Sequence, residues 1–265
     1  MNIIHALVLG VVQGVTEFLP ISSSGHLILL PDLLGWQDQG LAVDAVLHLA
    51  TALAILIYFR NEWIRMLLKW RTSQSLRKIV IASIPAAVVG LLFGDAIESL
   101  LRSPWTVVVM LVMVALVMWF VESRYAEITV VDTNKKPPIV PIDWPEVFIM
   151  SVAQVFALIP GTSRSGITIS AGMFRNVNRV NAAKFSFLLG VPVTLGAGLV
   201  KLPDLISATD TDWLFVGVAA VTTFVVAIFV MRWLLNFLKG HTLKPFVIYR
   251  IALAVVVAAF LLFVK

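Results

Sequence analysis

Apolar positions in this chain do not alternate with polar ones; they run together in stretches of about 16 to 19 residues separated by short polar segments. Six such stretches, at roughly 42–59, 79–95, 105–121, 185–201, 214–231 and 246–264, come close to the roughly 20 residues a helix needs to cross the hydrocarbon core of a bilayer. Open sheets are excluded there, because lipid offers no partner to unpaired backbone groups. Two further apolar stretches, 3–34 and 146–173, are broken midway by polar segments containing Pro and Gly. The pattern predicts an all-α polytopic membrane protein.

Composition agrees. Of 265 residues, 60% are hydrophobic and only 13% charged, and the mean hydropathy of +0.97 lies far outside the range of water-soluble domains. There is no cysteine, which removes disulfides and thiolate metal sites. The opening MNIIHALVLG lacks the basic start of a secretory signal and reads as mature protein. A formal charge of +5 would suit a nucleic-acid binder, but the basic residues sort by side of the membrane instead.

The loop 60–78 carries Arg60, Arg65, Lys69, Arg71, Arg77 and Lys78 and is assigned to the cytoplasm. Threading the spans from there puts Arg124, Lys135, Lys136, Arg175, Arg179, Lys184, Arg232, Lys239 and Lys244 inside as well. Only Arg102, Lys201 and Lys265 fall outside, and Arg164 and Arg250 remain in apolar surroundings. Both ends of 146–173 adjoin basic loops, so this stretch enters from the cytoplasm and returns to it as a re-entrant helical hairpin. The flanks of 3–34 lack Lys and Arg, as expected of a hairpin dipping from outside.

The halves resemble each other. VVQGVTEFLPISSSG (11–25) aligns with VAQVFALIPGTSRSG (152–166), pairing Pro20 with Pro160 and, after a one-residue gap, Ser24 and Gly25 with Ser165 and Gly166. Pro104 and Pro245 open corresponding spans. A first repeat at 1–121, a cytoplasmic linker at 122–145 and a second repeat at 146–265 follow, each repeat a hairpin plus three spans. Three is odd, so the copies are inverted relative to each other, and their hairpin tips should meet near the bilayer midplane.

The tips hold the unusual chemistry. Arg164 sits in PGTSRSGIT (160–168), where hydroxyls, Gly-freed amides and a helix start resemble an anion cradle. Its guanidinium can fork onto two phosphate oxygens, with Ser163, Ser165 and Thr168 as companions. In QGVTEFLPISSSGH (13–26), Glu17 is the only carboxylate outside loops and span ends, and Gln13 lies one turn before it on the same face. Glu17 suits a divalent cation or a proton. Ser22, Ser23, Ser24 and His26 follow the break at Pro20, and the 23–26 spacing sets a hydroxyl and an imidazole on one helical face, as a nucleophile and its base require. Arg250 is expected to snorkel to the cytoplasmic interface, His48 to be a hydrogen-bonded helix residue, and the eight tryptophans to anchor at the interfaces.

These motifs, with FSFLLGVP (185–192) and PFVIYR (245–250), resemble the undecaprenyl-diphosphate phosphatase family, also called the bacitracin resistance protein family, over essentially the whole chain. The family's first signature, Glu or Gln, three residues, then Glu, is met by Gln13 and Glu17; its second, PGxSRSxxT, by Pro160, Gly161, Ser163, Arg164, Ser165 and Thr168. The resemblance implies hydrolysis of undecaprenyl diphosphate to the monophosphate and inorganic phosphate at a site open to the outer face of the bacterial cytoplasmic membrane. That reaction recycles the lipid carrier for peptidoglycan and other cell-wall polymers and gives tolerance to bacitracin. Glutamine at 13 leaves a single carboxylate, so a two-carboxylate metal site is not carried over.

The expected site therefore has Arg164, Ser163, Ser165 and Thr168, with Ser22 and Ser24 from the facing tip, binding the diphosphate, and Glu17 with Gln13 on Mg²⁺ or Ca²⁺. Ser23 is the nucleophile and His26 its base; attack by His26 itself, or by water that His26 activates, fits the same spacing. The rival reading is a lipid-phosphate flippase or transporter built on the same inverted repeats. Expected partners are the polyprenyl diphosphate lipid and the bilayer, with no nucleic acid; Gly and Ala faces allow a homodimer.

Overall fold

The structure, a computed structural model, describes residues 2–125, 142–207 and 211–264. Among these residues the regular elements are α-helices: α1 (Ile3–Thr16), α2 (Ser23–Leu34), α3 (Leu41–Tyr58), α4 (Arg60–Leu68), α5 (Gln74–Leu101), α6 (Pro104–Tyr125), α7 (Trp144–Phe156), α8 (Arg164–Phe174), α9 (Arg179–Ser207), α10 (Trp213–Phe237) and α11 (Lys244–Phe263). Six of them, α3, α5, α6, α9, α10 and α11, are long and apolar enough to cross a membrane, and each covers one of the six predicted stretches to within one residue. The chain is a polytopic all-α membrane protein.

Helix ends overrun the apolar stretches. The prediction of 79–95 becomes the 28-residue α5, and 185–201 becomes the 29-residue α9. Hydropathy marks only the part of a helix that meets hydrocarbon, whereas the backbone ladder continues into the interface until a cap or turn stops it. Part of the basic loop 60–78 is itself helical: α4 buries Trp63 and Met66 and exposes Arg60 and Arg65, the division expected of a helix lying along a membrane surface. Likewise α6 runs through Tyr125, past the expected end at 121. Residues 126–141 of the expected linker lie outside the described residues.

The shorter helices occupy the two broken stretches. At 1.5 Å per residue, α1 (14 residues) and α2 (12), like α7 (13) and α8 (11), are each too short to cross a hydrocarbon core of about 30 Å alone. They pack across the molecule: α1 lies along α10 and α7 along α5, while α3 meets α9 and α6 meets α11. Close approach is arranged by small residues and hydroxyls. Gly10 and Gly14 of α1 face the backbone of α10, and Thr223 donates to the Gly10 carbonyl (3.2 Å). On the other pair, Ser151 of α7 donates to the Ala82 carbonyl of α5 (2.7 Å). Such contacts substitute for the hydrophobic drive that lipid does not supply between helices.

A buried ionic knot fixes the basic side of the bundle. The Glu122 carboxylate, at the end of α6, accepts from Arg179 Nε (3.1 and 3.2 Å) and Nη2, and from the Leu243 amide (3.2 Å) just before α11. Removing one partner of such a pair leaves an uncompensated buried charge. Arg179→Met is therefore expected to lower stability by about 3–5 kcal/mol, which thermal denaturation of the detergent-solubilised protein would register as a fall in melting temperature.

Candidate active site

Two breaks in helical backbone create the site. After α1 and α7 the chain turns through segments containing Pro20 and Pro160, then re-enters helix at Ser23 and Arg164. The N-cap residue before each helix is a serine with positive φ, Ser22 at 77° and Ser163 at 71°. Such backbone costs about 1–3 kcal/mol and persists only where surroundings enforce it. Here each serine Oγ accepts from the amide three residues on, Gly25 N at 3.3 Å and Gly166 N at 3.1 Å. Each also meets a second serine hydroxyl, Ser24 at 3.4 Å and Ser165 at 3.2 Å. The two tips use one device.

The tips also touch. The Gly161 amide donates to Ser24 Oγ (3.4 Å), and Ser165 Oγ donates to the Leu19 carbonyl (3.1 Å). Gly161 has φ +91°, and a Cβ there would stand 2.8 Å from Val107 Cα, so no other residue fits. Across this seam Arg164 Nη2 donates to Glu17 Oε1 at 2.7 Å. Both charges are largely withdrawn from solvent, with side-chain exposures of 13% and 5%.

Glu17 gathers the donors of its surroundings. Its Oε2 accepts from Ser23 Oγ at 2.6 Å and from Gln13 Nε2 at 3.2 Å, and His48 Nε2 of α3 stands 3.5 Å away. His48 Nδ1 donates to the Asp44 carbonyl (2.8 Å), which fixes the ring. Arg164 Nη1 donates to the Ser186 carbonyl of α9 (2.9 Å), and the guanidinium lies where a Cβ on Gly190 would overlap it. The absence of a side chain at Gly190 makes room for the charge.

The predicted site residues divide into two groups. Ser23, Ser24, His26 and Arg164 are partly accessible, whereas Gln13, Glu17, Ser22, Ser163, Ser165 and Thr168 are buried. Thr168 Oγ1 lies 2.6 Å from both the Arg164 carbonyl and Ser186 Oγ. The hydroxyls of Ser163, Ser165 and Thr168, expected on phosphate oxygens, bond within the tip, to each other, to the Leu19 and Arg164 carbonyls and to Ser186. The expected Ser23–His26 pair is also absent from the hydrogen bonds among the described residues. Ser23 turns to Glu17, while His26 Nδ1 donates to the Ser22 carbonyl (2.7 Å) and its Nε2 meets the Tyr249 hydroxyl (2.7 Å), the two rings stacked. Helical spacing placed the two residues near each other without deciding where each side chain finds its partner.

Arg250 overturns the snorkelling expectation. It is fully buried, and among the described residues no carboxylate lies within ion-pair distance of it. Its guanidinium donates to the carbonyls of Pro20 (3.3 Å), Gly161 (3.0 Å) and Thr162 (3.1 Å) on the two tips, and to Met110 and Leu111 of α6 (3.0 and 3.1 Å). Tip carbonyls lie between helices and would otherwise be unpaired inside the membrane, so they solvate the charge and are satisfied by it.

The sequence matches the bacitracin resistance protein family BacA over residues 6–256. The chain belongs to that family. It is 40% identical to the undecaprenyl-diphosphatase of Teredinibacter turnerae across 96% of this chain and 98% of that one. It is 39% identical to undecaprenyl-diphosphatase 1 of Pseudoalteromonas translucida across 98% and 99%, and 40% identical to the undecaprenyl-diphosphatase of Elusimicrobium minutum across 97% of each. In this BacA chain the motifs converge in space: the two long ones form the tips, FSFLLGVP supplies Ser186 and Gly190, and PFVIYR supplies Tyr249 and Arg250. Sequence reasoning quoted the last two without assigning them site residues; the apolar surroundings of Arg250 were the available signal.

Two substitutions probe the seam. Gly190→Ala should displace the Arg164 guanidinium and destabilise by about 1–3 kcal/mol through overpacking, whereas Gly196→Ala, with open space around it, should not. Arg250→Met should cost more, because each buried carbonyl left unpaired is worth about 1–3 kcal/mol. Thermal unfolding in micelles orders the three variants.

Proposed function

We propose that the chain is an integral membrane phosphatase that hydrolyses undecaprenyl diphosphate to undecaprenyl phosphate and inorganic phosphate. One observation carries the reading: the Ser23 hydroxyl is hydrogen-bonded to Glu17, and Glu17 is held by Arg164 from the opposite tip. A binding site for a lipid phosphate has use for the guanidinium but none for a hydroxyl aimed at a carboxylate. The names of the relatives and the family membership support the substrate.

In this mechanism the diphosphate enters between the tips and exchanges with Glu17 for the Arg164 fork, so that the carboxylate is released as the phosphate is bound. Ser23 Oγ attacks the terminal phosphorus while its proton passes to Glu17 Oε2. The bond to the bridging oxygen breaks, and the lipid monophosphate leaves with the electron pair. Water then attacks the phosphoserine and gives its proton to His26 Nε2, with Glu17 returning a proton to Ser23 Oγ as inorganic phosphate departs. Arg164, its guanidinium held by the Ser186 carbonyl, neutralises charge on the transferring group, with Ser163, Ser165 and Thr168 beside the phosphate oxygens. Ser24, Ser22 and Tyr249 border the phosphate.

A divalent cation, Mg²⁺ or Ca²⁺, fits this donor set. Gln13 Oε1 is buried without a hydrogen-bond partner, and hard cations at phosphate sites take one or two protein oxygens and leave the rest to phosphate and water. Among the described residues no group of three His, Asp or Glu side chains could hold a metal alone, so Glu17 and Gln13 would share it with the substrate. When bound, the ion polarises phosphate oxygens.

The wider reading keeps two inverted repeats with re-entrant hairpins, supported by the crossed packing of α1 on α10 and α7 on α5. Its site opens to the outer face of the bacterial cytoplasmic membrane, where recycled carrier serves cell-wall synthesis and depleted diphosphate gives bacitracin tolerance. Pairing of two copies belongs to the same reading. The test is phosphate release from undecaprenyl diphosphate by purified protein in detergent. Ser23→Ala, Glu17→Gln and Arg164→Ala should each lower turnover by about 10²–10⁴-fold, and acid-quenched protein should carry phosphate on Ser23. Wild-type protein that binds the lipid without releasing phosphate would instead support the flippase or transporter reading.

A further inference from the structure

A further set of cations lies away from the tips. At the basic ends of α3, α9 and α10, beside α4, a cavity of about 850 Å³ is lined by Lys184, Arg232 and Lys239. One carboxylate, Glu62, faces them, and it already stands 3.6 Å from Arg65. Lys239 Nζ reaches Asn236 Oδ1 (3.3 Å). Among the described residues, neither Lys184 nor Arg232 has a carboxylate within ion-pair distance. The cavity is therefore net positive, with the Tyr58 ring at its edge.

Its other walls are apolar and reach the lipid. Phe229 and Trp233 of α10 line it while remaining 69% and 51% exposed on the outside of the bundle. A free anion needs only the cations. Cations beside an exposed apolar wall on the same helix suit a molecule with a phosphate at one end and a hydrocarbon chain at the other. The positive-inside distribution assigns this end of the bundle to the cytoplasmic leaflet. The cavity is separate from the tips: Lys184 and Ser186 are two residues apart on α9, about 200° around the helix, so α9 stands between the cavity and Arg164.

We propose that this cavity is a binding site for the phosphate headgroup of an anionic membrane lipid in the cytoplasmic leaflet, with Lys184, Arg232 and Lys239 on the phosphate and the acyl chain along Phe229 and Trp233. The site is independent of the hydrolytic reading, because occupancy is measured without turnover.

The probe is phosphatidylglycerol with brominated acyl chains, mixed into phosphatidylcholine nanodiscs holding the full-length protein. Quenching by bromine is read as the tryptophan fluorescence that is lost in wild type and spared in Trp233→Phe. Lys184→Gln with Arg232→Gln should weaken the apparent affinity about thirtyfold, at about tenfold per 1.4 kcal/mol and about 1 kcal/mol per cation. Arg71→Gln with Arg77→Gln, which removes the same charge from exposed positions outside the cavity, should stay within about twofold of wild type. Equal losses in both double variants would reduce the effect to diffuse surface attraction and overturn the proposal, as would no loss in the first. Displacement of the lipid by millimolar inorganic phosphate would assign the cations to the free anion and also overturn it.

Discussion

A carboxylate and a guanidinium inside a bilayer must find each other or water, and in this fold they find each other only because two separate breaks in helical backbone converge. The 2.7 Å contact between Glu17 and Arg164 sets the terms for the rest of the site. Burying two charges is costly, and their attraction offsets that cost only when further hydrogen bonds satisfy the remaining valences. Ser23, Gln13 and His48 around one partner, and the Ser186 carbonyl beside the other, provide that completion. In the proposed mechanism the same completeness is what a ligand disturbs, since one that draws Arg164 away leaves a carboxylate surrounded by donors, one of them a hydroxyl.

Backbone supplies the second constraint. Ending a helix inside the bundle exposes amides and carbonyls that its apolar surroundings cannot satisfy. The amides are met locally, by Ser22 and Ser163, at the cost of positive φ at both serines. The carbonyls are met from a distance, by a side chain on α11. Strain and charge thus sit at the tips, while Gly10, Gly14, Thr223 and Ser151 hold the supporting helices at close range.

How much of this the sequence discloses depends on how far apart the partners lie along the chain. The breaks near Pro20 and Pro160 are local and were legible, as were the six spans and the approach of two matching tips, one with Glu17 and one with Arg164; their direct ion pair was not, because each was expected on the phosphate or a cation. His48, Ser186, Tyr249 and Arg250 come from α3, α9 and α11, and no spacing rule connects them to residues 17–26. Arg250 shows the difficulty directly. Distance from a span end suggests snorkelling, but its destination is set by three carbonyls whose loss of partners becomes visible only once both tips are folded. Ser23 and His26 show the opposite case: correct neighbours in sequence whose hydrogen bonds go to Glu17 and Tyr249 instead of to each other.

Arg250 holds the tips through main-chain oxygens alone. Such a rivet does not read side chains, so Thr162 can exchange its own without loosening the joint, whereas Gly161 is fixed by its backbone and its neighbours rather than by Arg250. The side chains at the mouth of the site and the fastening are thereby separable: the former are free to be altered while the geometry that brings the two tips together is guarded by a residue on a distant helix.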